Sequence, residues 1–220
     1  MKHFEEELQD LNNDILKMAT LPEEAIHLSI QALKDRDFDL AQMVVDQDAR
    51  IDQLELLIDE KCLDLIARHQ PMAKDLRFIA TAMQLNGELE RIADIAVDIA
   101  QRVLEIADQP LLKPLITIPK LTAVAKTMVK MAIDAYIARD VDLAKKVLMA
   151  DPEADDLRNE IHKELVEQYM MKDPSTCSRA VQLLLIARFL ERICDHATYI
   201  AEDTIYMISG DFIKHHPEKL

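Results

Sequence analysis

Apolar residues recur along this chain at steps of three and four, from about residue 3 to 34 and again through Leu40, Val44, Ile51, Leu54, Ile58, Cys62 and Leu65. That period lays one stripe of a helix against a core. It predicts a first helix over residues 3–34, with Thr20-Leu21-Pro22 as a kink or as a restart with proline in the first turn. Asp35-Arg36-Asp37-Phe38-Asp39 reads as a turn, and the second helix runs on to Pro71, which ends it and starts a third reaching about Ala107. Pro110, Pro114 and Pro119 break up residues 108–119, which read as a linker. The plan then repeats. A fourth helix over 120–138, a turn at Arg139-Asp140-Val141-Asp142, a fifth helix reaching Lys172 and a sixth from about Ser175 to Ser209 are expected, with Gly210 able to stop the last and 211–220 left as a frayed tail. Short connections make sequential helices antiparallel neighbours. The expected fold is all-α: two tandem three-helix bundles, residues 1–107 and 120–210, six long antiparallel helices related by a pseudo-twofold axis.

The repeat is legible residue by residue. Arg36-Asp37-Phe38-Asp39-Leu40-Ala41 matches Arg139-Asp140-Val141-Asp142-Leu143-Ala144 at an offset of 103, and Glu90-Arg91-Ile92 matches Glu191-Arg192-Ile193 at an offset of 101. Carboxylates follow the same duplication. Asp48 and Asp52 precede the break at Pro71, and Glu90 and Asp94 follow it. Asp151 and Asp155 precede the break at Asp173-Pro174, and Glu191 and Asp195 follow it. In a symmetric antiparallel hairpin, facing residues have a constant sum. Positions 48 with 94 and 52 with 90 sum to 142, centred on residue 71; positions 151 with 195 and 155 with 191 sum to 346, centred on residue 173. Each hairpin should therefore bring four acids level with one another, and Asp98 extends the stripe of Glu90 and Asp94 on one helix face.

Facing carboxylates repel unless protons or a cation intervene. An all-oxygen set suits calcium, magnesium, manganese or iron, and zinc less well, since zinc and copper favour histidine or cysteine. Asp48, Asp52, Glu90, Asp94 and Asp98 form the first candidate metal site, and Asp151, Asp155, Glu191 and Asp195 the second; two facing rows could bridge more than one ion. Other readings compete. Acidic stripes are commonly solvated helix faces, and Arg91 and Arg192, each following the key Glu, could pair with nearby acids. His196 beside Asp195 is a further candidate ligand of the second site. Glu24-Ala25-Ile26-His27 has the ExxH spacing of di-iron bundles but occurs once, so His27 reads as a helix-surface histidine. His69, His215 and His216 read as exposed.

Composition narrows the function. Only two glycines, Gly87 and Gly210, occur in 220 residues, too few for the turns of a β-protein or for a phosphate-cradling glycine loop. A net charge of −15 argues against nucleic acid or an anionic lipid surface as partner and suits cations or basic protein surfaces. Cys62, Cys177 and Cys194 form no CxxC pair and read as reduced thiols of a cytoplasmic protein. The acidic start, MKHFEEELQDL, is unlike a signal peptide. No apolar run approaches the roughly twenty residues needed to span a bilayer, so membrane association is expected only through partners.

Three stretches resemble the PhoU family of phosphate-regulon accessory regulators: Gln70-Pro71-Met72-Ala73-Lys74-Asp75-Leu76-Arg77, Glu88-Leu89-Glu90-Arg91-Ile92-Ala93-Asp94, and Leu190-Glu191-Arg192-Ile193-Cys194-Asp195-His196-Ala197 with Ile200-Ala201-Glu202-Asp203. The likeness covers about Glu5 to Gly210. Ala93 and Cys194 stand where the family usually has Gly, Gln101 where it usually has Glu, and Asp98 and Tyr199 where it usually has Asn. The resemblance implies a cytoplasmic, non-enzymatic negative regulator of the phosphate starvation response that modulates uptake. Its implied partners are the ATPase subunit of the phosphate ABC transporter and a sensor histidine kinase, with the protein itself a homodimer. It also implies multinuclear metal binding through E/DxxxD motifs. Direct phosphate capture is not implied unless a bound cation supplies positive charge. A carboxylate-bridged metalloenzyme and a purely structural helical scaffold are the alternatives.

Overall fold

The structure, a computed structural model, describes residues 2–210; the expected tail, with His215 and His216, lies outside the described residues. Helix α1 (Lys2–Asp35) buries Leu11, Ile15, Met18, Ile26 and Leu33 along one stripe and runs unbroken through Pro22. An interior proline costs a helix roughly 3 kcal/mol, and the core contacts of Met18 and Ile26 on either side of Pro22 oppose that cost. The expected second helix is two: α2 (Phe38–Asp46) and α3 (Asp48–His69). The break has a local cause. The Gln47 N–H still bonds the Met43 carbonyl at 3.2 Å, but the Arg50 N–H takes the Gln47 carbonyl at 3.1 Å, three residues back rather than four. That tight turn makes Asp48 the first residue of a new helix. Helix α4 (Ala73–Leu104) completes the first bundle.

In the second bundle α5 (Thr117–Ala138) begins three residues earlier than expected, because Pro119 is tolerated in a first turn. Helix α6 (Val141–Glu164) carries Pro152 without interruption. It then widens into a π-helical stretch, Leu165–Met170, where the Met171 N–H reaches the Val166 carbonyl at 3.0 Å. Asp173 caps a short 3₁₀ turn at Pro174–Thr176, and α7 (Cys177–Ser209) follows. The repeated Arg-Asp turns are built alike. Arg36 and Arg139 adopt left-handed backbone, φ 56° and 53°. Asp37 and Asp140 then accept the Leu40 and Leu143 N–H groups at 2.9 and 3.0 Å, satisfying donors that a helix start leaves free.

The bundles join along α4 and α7, with α1 also touching α5. Ala93, Ala96 and Ala100 on α4 and Cys194, Ala197 and Ala201 on α7 are all buried; such small side chains let helices pack closely. Residues 105–116 connect the halves and are held from both sides. Arg36 donates to the Gln109 carbonyl at 3.4 Å, Arg179 to the Pro110 carbonyl at 3.0 Å, and buried Lys113 pairs with Glu164. Among the described residues no helix is long and apolar enough to cross a membrane.

Candidate metal centre

The first acid set converges. Asp48 opens α3, where a helix N-terminus favours a carboxylate, and Asp52 lies one turn on. Glu90, Asp94 and Asp98 face them from α4. Asp48, Asp52 and Asp94 each offer an oxygen within 4.8 Å of the others, as no other trio of acids, histidines or cysteines does among the described residues. Burial, followed by Asp52 and Asp94, raises the Asp48 carboxyl above its ordinary range. Burial also raises Asp94, reinforced by Asp52 and Asp98. Glu90 is pushed up to about 7 by burial first, then by Asp94, Glu55 and Asp52. Asp48 Oδ1 is buried and accepts no hydrogen bond. A carboxylate oxygen out of water with no donor is costly, and a hard cation would supply what it lacks. The donor set fits such an ion. Glu55, also raised by burial and then by Asp59, belongs to the same acidic face, and Asn86 closes its far end by donating to the Glu55 carbonyl at 2.9 Å and to Asp59 at 3.0 Å.

The second set is brought together and answered by arginine. Burial raises Asp151, with Asp195 and Asp155 adding to it. Burial raises Asp195 against the pull of Arg188 and His196. Buried Glu191, however, receives Arg188 Nη1 on both oxygens at 2.5 and 2.6 Å, and Arg158 reaches Glu191 at 3.5 Å and Asp155 at 3.3 Å. Burial and Asp195 still hold Glu191 above its ordinary value against both arginines. Two positive charges thus sit among four acids.

Of the arginines singled out from sequence, Arg91 pairs with a nearby acid, Glu88, at 3.1 Å and also pulls on Glu90, and Arg192 pulls on Asp195. The ion pairs to Glu191 come from Arg188 and Arg158. Arg158, Arg188 and Glu88 were missed, although Arg158 lies three residues after Asp155 and Arg188 three before Glu191, a spacing at which helix side chains meet. His196 turns its Nδ1 to Glu88 across the α4–α7 seam at 2.5 Å rather than to the second set, and its ring meets Tyr199 edge-on. His69, expected to be exposed, is half-buried, with Nε2 on Glu7 at 2.6 Å and its ring against Phe4. Glu24 and His27 lie exposed on α1, as expected. The cysteines are free thiols, and burial pushes Cys62 up to about 12.

A family model described as the PhoU domain matches the chain twice, over residues 15–103 and 118–204. A protein of Aquifex aeolicus named as a phosphate-specific transport system accessory protein PhoU homolog is 39% identical over 215 residues, covering 98% of this chain and 96% of its own. A protein of the same name from Pseudomonas aeruginosa is 36% identical, covering 97% and 88%. Both are named as accessory proteins rather than enzymes, in keeping with the non-enzymatic expectation. The crystal structure of PhoU from Pseudomonas aeruginosa superposes with a TM-score of 0.90 at 37% identity over 94% of this chain and 100% of that one. That of the phosphate transport system regulatory protein PhoU from Streptococcus pneumoniae gives 0.88 at 26% identity over 95% and 98%.

Proposed function

This chain belongs to the PhoU family, and on that premise we propose that it is an accessory regulator of phosphate transport that holds a divalent cation in its first carboxylate cluster. In this reading it acts in the cytoplasm as a homodimer. It contacts the ATPase subunit of the phosphate ABC transporter and a sensor histidine kinase, restraining the phosphate starvation response while phosphate is ample and moderating uptake. The full-length likeness to proteins named for phosphate transport supports the regulatory part. The observation that carries the cation is the convergence of Asp48, Asp52 and Asp94, with one Asp48 oxygen buried and without a hydrogen bond. Glu90 and Asp98 flank these ligands, and the bound ion would offset the mutual repulsion of the acids and stiffen the α3–α4 hairpin. Magnesium, manganese, calcium or iron suits the oxygen donors better than zinc.

Deleting the gene should switch on a phosphate-starvation reporter in phosphate-rich medium, and the wild-type gene should silence it again. A reporter that stays off after deletion would overturn the regulatory reading. Metal analysis of chelator-free protein, set beside Asp48→Asn with Asp94→Asn, tests the cation separately.

A further inference from the structure

One open pocket at the α4–α7 seam brings basic groups of both repeats together. It is lined by Arg91, Asp94, Ile95, Asp98, Arg192 and His196. Arg91 and Arg192 occupy matching positions of the two repeats, so the pseudo-twofold axis delivers two guanidinium groups to one cavity in a chain of net charge −15. Both arginine residues are exposed, and Arg91 is steadied at 3.1 Å by Glu88. Glu88 also fixes the buried His196 ring through Nδ1, so one carboxylate orients two of the pocket's three basic groups. Asp94 and Asp98 form the wall shared with the first carboxylate cluster.

We propose that this pocket binds a small tetrahedral oxyanion of the phosphate class, and that it does so when the adjoining carboxylates hold a cation. The inference rests on the cation reading above. With Asp94 and Asp98 unmetallated, these two charges and that of Glu88 outweigh the two guanidinium charges and nothing favours an anion. Divalent cations that take up the charge of the acid wall leave the two guanidinium charges against Glu88 alone. Guanidinium groups present planar forks of donors that match oxyanion oxygens. The two forks approach from different helices, α4 and α7, with the imidazole beside Arg192 on α7, an arrangement that a tetrahedral oxyanion meets from several sides at once. Coupling of this kind is reciprocal: the anion should tighten the cation by the same factor as the cation tightens the anion.

Calorimetric titration of Mg²⁺ alone, then of inorganic phosphate into Mg²⁺-loaded and metal-free protein, tests the proposal. Phosphate should bind the loaded wild type, and at least about tenfold more weakly both the metal-free protein and loaded Arg91→Ala/Arg192→Ala, which removes charge-assisted hydrogen bonds. The double variant should take up Mg²⁺ and melt like wild type. Arg91→Lys/Arg192→Lys, keeping charge but losing the forks, should fall between. The proposal is overturned if the loaded wild type takes no phosphate, or if the alanine variant takes it equally well. Failure of Mg²⁺ to bind in the first titration defeats the cation reading, and this one with it, before phosphate is added.

Discussion

The two carboxylate clusters occupy corresponding places in the repeats, yet only the second has its acids held in direct salt bridges to arginine. Around Glu191 the second cluster places Arg188 and Arg158. At the repeat offsets of 101 and 103, those positions are Gly87 and Glu55 in the first half. One cluster thus carries its counter-charges on its own helices, while the other carries an additional acid and an empty space. Nothing stands within 4 Å of where a Gly87 side chain would begin. Duplication preserved the geometry, and two substitutions redistributed the charge. What a four-acid frame does depends on the residues three positions away from the acids.

The most direct way to break the comparison is to remove the ligands. Asp48→Asn with Asp94→Asn should abolish cation binding at the first cluster. Affinity should fall by more than the roughly 10–100-fold lost when only outer partners of a metal are removed. Asp151→Asn with Asp195→Asn should leave that high-affinity ion in place. Metal content after dialysis, with calorimetry, distinguishes the pairs; equal losses in both would mean that the clusters are equivalent after all. Exchanging the charges is the sharper test. Glu55→Arg with Gly87→Arg should give the first cluster internal salt bridges and weaken its cation by at least about tenfold. Arg158→Glu with Arg188→Gly should create a second cation site, read as an increase in stoichiometry. If stoichiometry stays unchanged in both exchanges, the arginines are not what separates the halves.

Much of this contrast was legible in the sequence, and the illegible part has a physical reason. Constant sums located the facing acids, because a hairpin of regular helices is nearly a ruler. The same regularity concealed the break at Gln47 and the π-helical stretch at Leu165–Met170, where one hydrogen bond shifts register without any glycine or proline to announce it. Arg91 does pair with a nearby acid, Glu88, but adjacency in sequence does not point to Arg158 and Arg188, the arginines that meet Glu191. Residues next to each other on a helix point about 100° apart, whereas those three apart share a face. The partner of His196 was out of reach for a different reason. Glu88 lies 108 residues away, and no hairpin sum relates positions on opposite sides of a seam between bundles.

Protonation offers a smaller handle on the same asymmetry. In metal-free protein Glu90 keeps its proton to about pH 7, while an unfolded chain releases it near 4.5. Between those values the native state binds more protons, so this contribution to stability is complete below about 4.5 and is lost as pH rises through 7. Chelator-treated wild type should melt at progressively lower temperature from pH 5 to 8. Glu90→Gln should flatten that slope and raise the melting temperature at pH 8. Glu191→Gln should flatten it less, because Arg188 and Arg158 already oppose the rise at Glu191. A saturating divalent cation should cancel the wild-type slope. If Glu90→Gln leaves the slope intact, the crowding of the first cluster is relieved elsewhere.

The smallest expected effects probe what the halves still share. Asp37 and Asp140 follow left-handed arginines and cap their helices with hydrogen bonds of 2.9 and 3.0 Å. Removing an aspartate cap typically costs about 1 kcal/mol, so Asp37→Ala and Asp140→Ala should destabilise the protein by about the same amount, as read from urea melts. Their sites lie at the turns, away from both clusters, so neither should alter cation stoichiometry. Equal costs would mean that the turn chemistry has been held constant while the charge around the acids diverged, which places the functional difference in side chains on a common frame. A cost concentrated in one half would mean instead that the frame itself has drifted, and the charge exchange at Glu55 and Gly87 could then not be expected to reproduce the second cluster.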